Sequence, residues 1–249
     1  MLTKKRIVCY ILLGLIFCLE LLIFLFPSSF RHPIFIAHRG HGNYENTVSN
    51  FYNSGKYTAI ECDVRITKDK QFVICHDATQ KFVDGSFLVI KDSTLEELQA
   101  KKIDNKQYIC TFEEYLNICE ETNKLPIIEI KDELSKVELQ NLVDLTSFFS
   151  FEDSCIFISF KHNNLLELKK LVNNELYLVF KNNRISNLKF CIKNNINASM
   201  QYRLLTPLSV NRLHKKGLKV DSWTCNSPYS ILYSKFCNVD YITSDKYYK

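Results

Sequence analysis

The feature that most constrains the fold is an alternation of short apolar strands with amphipathic helices, which continues from residue 34 to the end of the chain. Strands alternating with helices are typical of parallel sheets built from β/α units. Eight units predict an α/β chain folded as a (β/α)₈ TIM barrel, with its site residues at the C-terminal ends of the strands. The predicted parallel strands are 34–37, 60–66, 126–131, 155–160, 176–180, 196–200, 218–224 and 241–245.

Residues 59–77 predict an antiparallel hairpin, whose second strand is additional to these eight. Apolar residues at 60, 62, 64 and 66 alternate with Glu61, Asp63 and Arg65, the period of two that marks a strand. A second β-rich run at 72–75 follows after five residues, and so short a link cannot carry a parallel crossover. The hairpin should place His76 roughly opposite Asp63, with Glu61 on the same face.

The N-terminal 30 residues are set apart from the fold by their composition. Three basic residues at 4–6 precede twenty residues, 7–26, that are mostly apolar, and a helix of that length spans about 30 Å. The sequence offers no small-x-small cleavage site, which favours an uncleaved anchor over a secretory signal. We therefore expect a single-pass membrane protein with residues 1–30 as cytoplasmic tip and transmembrane helix, and residues 31–249 as an extracytoplasmic catalytic domain.

Composition excludes some classes of protein. The chain is 46% hydrophobic, enough for a buried core. Residues 31–249 contain 29 basic and 26 acidic residues, a net charge too mild to argue for binding nucleic acid. Eight of the ten cysteines lie outside the apolar N-terminal segment, and none form a C-x-x-C pair. Their disulfide state stays open, but most fall in apolar patterns typical of small buried side chains.

The candidate site combines groups that bind cations, transfer protons and bind anions. Three carboxylates on two strands favour a hard divalent cation, Mg²⁺ or Ca²⁺, over zinc. Two histidines suit proton transfer near neutral pH, and an arginine and a lysine suit an anion. These groups fit the hydrolysis of a phosphodiester. The candidates are His38, Arg39, Glu45, Glu61, Asp63, His76, Glu129, Lys131 and Trp223.

The order and spacing of short motifs extend over almost all of the chain after residue 31, and with them the chain resembles the glycerophosphodiester phosphodiesterase family. The resemblance implies a TIM barrel that hydrolyses glycerophosphodiesters to glycerol 3-phosphate and an alcohol. The motifs are I-A-H-R-G at 36–40, E-N-T at 45–47, I-E-C-D-V at 60–64, T-K-D at 67–69, H-D at 76–77, T-L-E-E-L at 94–98, E-I-K at 129–131, S-F at 159–160, W-T-C-N at 223–226 and I-T-S-D at 242–245.

The resemblance also implies a role for each candidate. His38 and His76 would be the general acid/base pair, and one divalent cation would be held by Glu61, Asp63 and Glu129. Arg39 and Lys131 would contact the phosphate, Glu45 would assist near the metal and His38, and Trp223 would form an apolar wall for the alcohol.

Two motifs depart from the family pattern, and a third is interpreted as structural. No proline precedes Glu45, where the family usually has one, and Ser244 is inserted before Asp245. Neither change touches the expected metal ligands, but both bear on the choice of substrate. Ser159 and Phe160 are interpreted as packing residues at a strand end.

Two other functions remain open at this point. One is a lipid phosphodiesterase of the lysophospholipase D type acting at a membrane surface; the three carboxylates disfavour its metal-independent, phosphatidylinositol-cleaving relatives. The other is a non-catalytic membrane-bound binding module, which the presence of every expected catalytic residue disfavours. The expected partners are a small-molecule or lipid-derived phosphodiester substrate and, through the N-terminal helix, a membrane.

Overall fold

The computed structural model describes residues 10, 12–16, 18, 31–104 and 106–247. The chain separates into two compact units, Met1–Arg31 and His32–Lys249. In the first unit residues 10, 12–16 and 18 are helical, with exposed side chains. The second unit contains every strand named below and the candidate site.

The expected membrane anchor is not supported. Most of the predicted segment 7–26 lies outside the described residues, and within the described part no helix is long and apolar enough to cross a membrane. The longest helix there, Lys136–Phe148, has 13 residues and spans about 20 Å, against the roughly 30 Å that a bilayer requires. This finding contradicts the prediction of a single-pass membrane protein with an extracytoplasmic catalytic domain, and it leaves the predicted membrane contact of the N-terminal helix without support.

Eight parallel strands close into a barrel, as predicted. In chain order the strands are β1 (Ile34–Ala37), β2 (Ala59–Ile66), β3 (Phe72–Ile74), β4 (Thr79–Lys81), β5 (Phe87–Val89), β6 (Leu125–Ile130), β7 (Ile156–Ser159), β8 (Glu175–Phe180), β9 (Asn197–Gln201), β10 (Val220–Trp223) and β11 (Tyr241–Ser244). The closed order is β1-β2-β6-β7-β8-β9-β10-β11, and β1 pairs with both β2 and β11.

The three strands outside the barrel belong to two hairpins, one of which includes the barrel strand β2. β3 runs antiparallel to β2, with Val64 opposite Ile74, which confirms the predicted hairpin. The last bond between them runs from Cys75 N to Asp63 O, at 2.9 Å, so Cys75 lies opposite Asp63. His76 is therefore one residue beyond the position expected for it. β4 and β5 form a separate antiparallel pair.

The helices begin where the sequence provides caps. Thr94, Thr111 and Ser135 each accept a hydrogen bond from the backbone three residues on, and a glutamate there bonds back. Such capping boxes satisfy two backbone donors at the first turn. The helices are α1 (Val48–Tyr52), α2 (Leu95–Gln99), α3 (Phe112–Glu121), α4 (Lys136–Phe148), α5 (His162–Leu168), α6 (Arg184–Asn194), α7 (Pro207–His214) and α8 (Pro228–Phe236).

The alternation of side chains along the strands creates two apolar layers. On β2, Ile60, Cys62 and Val64 are at most 1% exposed and belong to the large cluster that the strands share with the helices. A smaller cluster, which includes Ile127 and Tyr177, belongs to the opposite strand faces. The eight cysteines after residue 31 are all buried and free. Sites of this fold form among the polar residues of the inner strand faces, at the C-terminal ends of the strands.

Candidate active site

Three carboxylates meet at the ends of two neighbouring strands. Asp63 on β2 is paired with Glu129 on β6 in the parallel register, and Glu61 lies two residues before Asp63, on the same face. One oxygen from each lies within 4.8 Å of the other two. Their relative exposures are 2% for Glu61, 0% for Asp63 and 8% for Glu129. The structure thus brings together the three residues expected to bind metal.

The electrostatics of this cluster are those of excess negative charge in a buried space. Burial, followed by repulsion from Asp63, raises the pKa of Glu61 to about 8 and raises the pKa of Glu129 as well. Burial would also raise the pKa of Asp63, but Lys131 and Arg39 lower it below its ordinary value. Glu61 and Glu129 therefore keep their protons to a higher pH than free carboxyls do.

A divalent cation fits this donor set. Asp63 Oδ1 and Glu129 Oε1 are buried and face the Lys131 ammonium, which lies 3.2 Å and 2.7 Å from them. All the donors are carboxylate oxygens, which suit Mg²⁺ or Ca²⁺. A cation bound here would favour the ionised form of each carboxyl and remove their mutual repulsion.

Arg39 links the carboxylates to the loop that follows β1. Its backbone N–H donates to Glu61 Oε2 at 2.8 Å, and its Nε lies 3.1 Å from Asp63 Oδ2. Its Nη1 pairs with Glu45, whose side chain is 59% exposed. Glu45 therefore contacts the site through Arg39.

Four residues of the loop from 38 to 47 have positive φ: Arg39, Gly40, Gly42 and Asn46. Gly40 has φ +77°, and a Cβ there would lie 2.8 Å from the Asn50 carbonyl carbon, so the close turn requires glycine. Asn46 has φ +58°, a conformation that asparagine tolerates. Its amide donates to Asp63 Oδ2 at 2.8 Å, and its Oδ1 accepts from Asp63 N at 3.2 Å. Asn46 thus fixes Asp63 from both sides.

His38 is held by the opposite end of the chain. It follows β1, and its Nδ1 lies 2.6 Å from Asp245 Oδ1, just beyond β11. The Asn226 amide donates to the other oxygen of Asp245, and Asn226 Oδ1 accepts from Asp245 N at 2.9 Å. Burial alone would lower the pKa of His38, but Asp245 and Glu61 raise it above its ordinary value. His38 therefore keeps its proton to a higher pH than a free histidine.

His76 has the opposite electrostatic character. Its Nδ1 lies 2.8 Å from Asp77 Oδ1, and both side chains are partly exposed. Burial, with help from Lys131 and Arg39, lowers the pKa of His76 in spite of the favourable charge of Asp63. In both histidines a carboxylate holds Nδ1, which leaves Nε2 for a substrate.

Seven of the nine candidates line one cavity of about 300 Å³; the other two, Glu45 and Asp63, contact it through Arg39. Trp223 forms part of the wall, and its indole N–H donates to Ser199 O at 3.1 Å. Phe160 meets Trp223 edge to face, with ring centroids 5.8 Å apart. The cavity thus has a charged side at β1, β2 and β6 and a partly aromatic side at β7 and β10.

Several residues at the site received no such role from the sequence. Phe160 lines the cavity, whereas we interpreted it as packing. Asn46, Asp77 and Asp245 hold Asp63, His76 and His38. Each of these three residues lies inside a motif quoted above. The motifs could have marked them as site residues, although the sequence did not indicate their contacts. Asp221, also on the wall, gave no signal; burial raises its pKa to about 6.

Fold and site together define a barrel hydrolase of phosphate diesters, and known proteins of this kind are similar to the chain. A protein of Bacillus subtilis, named as a proposed glycerophosphodiester phosphodiesterase, is 30% identical over 233 residues, 84% of this chain and 93% of its own length. A crystal structure of another such protein, from Galdieria sulphuraria, has a TM-score of 0.78 at 26% identity and covers 88% of this chain and 96% of its own.

A third similar protein shares the fold. The phosphodiesterase from Oleispira antarctica, solved with the product sn-glycerol-3-phosphate, has a TM-score of 0.77 at 20% identity and covers 86% of this chain and 93% of its own. Residues 38–249 match the Glycerophosphoryl diester phosphodiesterase family. The chain belongs to that family and is a phosphoric diester hydrolase.

Proposed function

We propose that the protein hydrolyses glycerophosphodiesters to glycerol 3-phosphate and an alcohol, using one divalent cation, Mg²⁺ or Ca²⁺, held by Glu61, Asp63 and Glu129. The observation that carries the proposal is the convergence of these three buried carboxylates beside two histidines and two cationic side chains. Family membership supports the reaction. The relative from Oleispira antarctica, solved with sn-glycerol-3-phosphate, supports the glycerol 3-phosphate product.

Charge on the phosphate is balanced by groups on one side of the cavity. The bound cation would supply electrostatic stabilisation of the phosphate oxygens. Arg39 and Lys131 line the same cavity and would contact the remaining oxygens, since preorganised cations are effective in a space shielded from water. Glu45 orients Arg39 through their ion pair.

Proton transfer falls to the two histidines. Environments that push two pKa values apart separate an acid from a base. The raised pKa of His38 suits the general acid that protonates the leaving alcohol oxygen. The lowered pKa of His76 suits the general base that takes a proton from the attacking oxygen. Asp245 and Asp77 fix the two rings by their Nδ1 atoms, so Nε2 of each would transfer the proton.

Two oxygens could attack the phosphorus. Water would give glycerol 3-phosphate directly, and the 2-hydroxyl of the glycerol would give a cyclic phosphate first. Trapping the cyclic product in a short reaction would establish the second route; its absence, with ¹⁸O from water in the first product formed, would establish the first.

The alcohol lies toward the other wall. Trp223 and Phe160 offer an aromatic surface, and Lys181 and Asp221 add polar groups to the same cavity. An aromatic face can bind an apolar chain or a quaternary ammonium group. This wall is where the protein would distinguish choline, ethanolamine and lipid-derived alcohols.

The decisive test is activity of the full chain on glycerophosphocholine, glycerophosphoethanolamine and a lysophospholipid, with Mg²⁺, with Ca²⁺ and with EDTA. We expect glycerol 3-phosphate from the first two substrates, its loss with EDTA and its return with one of the cations. Glu129→Gln should lose most of the activity while remaining folded. Full activity after exhaustive chelation would refute the metal-dependent mechanism.

A further inference from the structure

Arg65 extends the row of polar residues on the inner face of β2. It follows Glu61 and Asp63 at a spacing of two, so its side chain leaves the strand on the same face. Its position suggests a third cation for the phosphate, beside Arg39 and Lys131. The structure argues against that role, because Arg65 does not line the active-site cavity and its guanidinium donors are engaged elsewhere.

The guanidinium holds the main chain of His76. Arg65 Nε and Nη2 both donate to the His76 carbonyl oxygen, at 3.2 Å and 2.7 Å. Its Nη1 donates to Asp132 Oδ1 at 2.5 Å. The Arg65 side chain is 12% exposed, so solvent competes little for these bonds. A planar guanidinium bound on two sides has little freedom to rotate.

Asp132, in the loop after β6, is itself held by hydrogen bonds from strand β2 and from helix α5. Its second oxygen accepts from Ile66 N at 3.1 Å, at the end of β2. Its backbone oxygen accepts from the amide of Asn164, at 2.7 Å. Asn164 is 1% exposed and also accepts from Leu134 N at 3.1 Å. The clamp formed by Arg65, Asp132 and Asn164 therefore joins β2, the loop after β6 and helix α5.

His76 needs such an anchor because the sheet no longer supports it. β3 ends at Ile74, and the last bond to β2 comes from Cys75 N. Beyond that point, Asp77 is 79% exposed and holds only the ring of His76, which is itself 39% exposed. An exposed aspartate is a loose support, whereas Arg65, whose side chain is only 12% exposed, fixes the backbone from which the ring projects.

We propose that Arg65 is a positioning residue for His76: it sets where the imidazole meets the substrate without touching the substrate itself. The inference rests on the proposed function, in which His76 transfers a proton. A displacement of about 1 Å at a reacting group can cost roughly 10²-fold in rate. Loss of the clamp should therefore lower kcat more than it raises KM.

The test is a double-mutant cycle in the full chain, with Arg65→Gln made alone and together with His76→Ala. We expect Arg65→Gln to lower kcat by about tenfold or more, with KM within about threefold. If Arg65 acts through His76, the same change should cost almost nothing further in the His76→Ala background. Arg212→Gln is the matched control, since Arg212 is an exposed arginine on α7, and it should leave kcat unchanged.

A structural role would give different results. Equal losses from Arg65→Gln in both backgrounds, or near-native kcat in the single variant, would overturn the proposal. Affinity for Mg²⁺ or Ca²⁺, measured by calorimetry, should stay unchanged in Arg65→Gln, and a matching loss of cation affinity would also overturn it. If Arg65→Gln does not fold, Arg65→Lys provides the same cycle, because lysine keeps the charge but cannot donate twice in one plane.

The single variant His76→Ala distinguishes a failure of the proposed function from a failure of the inference about Arg65. Its turnover could be near-native. That result would remove His76 from the proposed mechanism and overturn the role of Arg65 with it. Loss of turnover in His76→Ala together with near-native turnover in Arg65→Gln would overturn the inference alone and leave the proposed function intact.

Discussion

In the protein without its divalent cation, the free energy of unfolding should decrease as the pH rises. The raised pKa of Glu61 determines most of this decrease. Its pKa is raised from 4.5 to about 8 by burial and by Asp63. Between these two values the folded metal-free protein keeps a proton that the unfolded chain has released. Because the folded state then binds more protons, the free energy of unfolding falls with increasing pH. Glu129, whose pKa is also raised, acts in the same direction.

The slope follows from proton linkage. One proton retained only by the folded state corresponds to about 1.4 kcal/mol per pH unit at 25 °C. From pH 5.5 to 7.5 the metal-free protein should therefore lose about 3 kcal/mol. For a chain of this size, that loss lowers the melting temperature by about 6–12 °C. The lowered pKa of Asp63 acts below pH 4, outside this window. Within the window the raised pKa of His38 adds to the loss, and the lowered pKa of His76 opposes it.

The measurement is thermal unfolding at several pH values, with EDTA and with saturating Mg²⁺ or Ca²⁺. The cation should flatten the curve, since it favours the ionised carboxyls in the folded state. Glu61→Gln, which has nothing to titrate at that position, should flatten it without any cation. The same steep or flat dependence in all three samples would refute the electrostatic argument.

Three further predictions test other parts of the site. His38→Ala and His76→Ala should each lower kcat by about 10² or more. Near-native turnover in either variant would exclude that histidine from the mechanism. Asp245→Asn should lower the pKa of His38 and move the alkaline limb of the kcat profile to lower pH; an unmoved limb would contradict the contact. Gly40→Ala should lower stability by about 1–3 kcal/mol in thermal melts, whereas Gly55→Ala, with open space around it, should be nearly neutral.

The barrel was predictable because its signals are local. Strand β2 shows a strict alternation from Ile60 to Ile66, and the helices after Thr94, Thr111 and Ser135 begin at capping boxes that the structure contains. Neither signal depends on distant contacts. The register of the hairpin was correct to one residue, since the turn between β2 and β3 left little choice.

The prediction of a membrane anchor at the N-terminus was wrong, although it also rested on local signals. It rested on the apolar content and length of residues 7–26, on the basic residues at 4–6 and on the absence of a cleavage site. Such a pattern measures hydrophobicity without saying what helix the residues form. Within the part of the chain that the structure describes, no helix meets the requirements for crossing a bilayer.

The supporting residues of the site were harder to predict because their contacts join distant parts of the chain. Glu61 and Asp63 lie on one strand, so their proximity follows from a spacing of two. By contrast, 207 residues separate His38 from Asp245, and 67 separate Arg65 from Asp132. Only the closed barrel brings such pairs together.

Asp63 shows most directly why chemical character cannot be read from position or burial. It is the most buried of the three carboxylates, at 0% exposure against 2% for Glu61, and burial alone would make it the hardest to ionise. Yet its pKa is lowered and that of Glu61 is raised to about 8. The difference lies in the partners, because Lys131 and Arg39 both lie within ion-pair distance of Asp63. The pKa values of two carboxyls two residues apart on one strand are thus shifted in opposite directions, and the residues that lower the pKa of Asp63 lie just beyond the ends of two other strands.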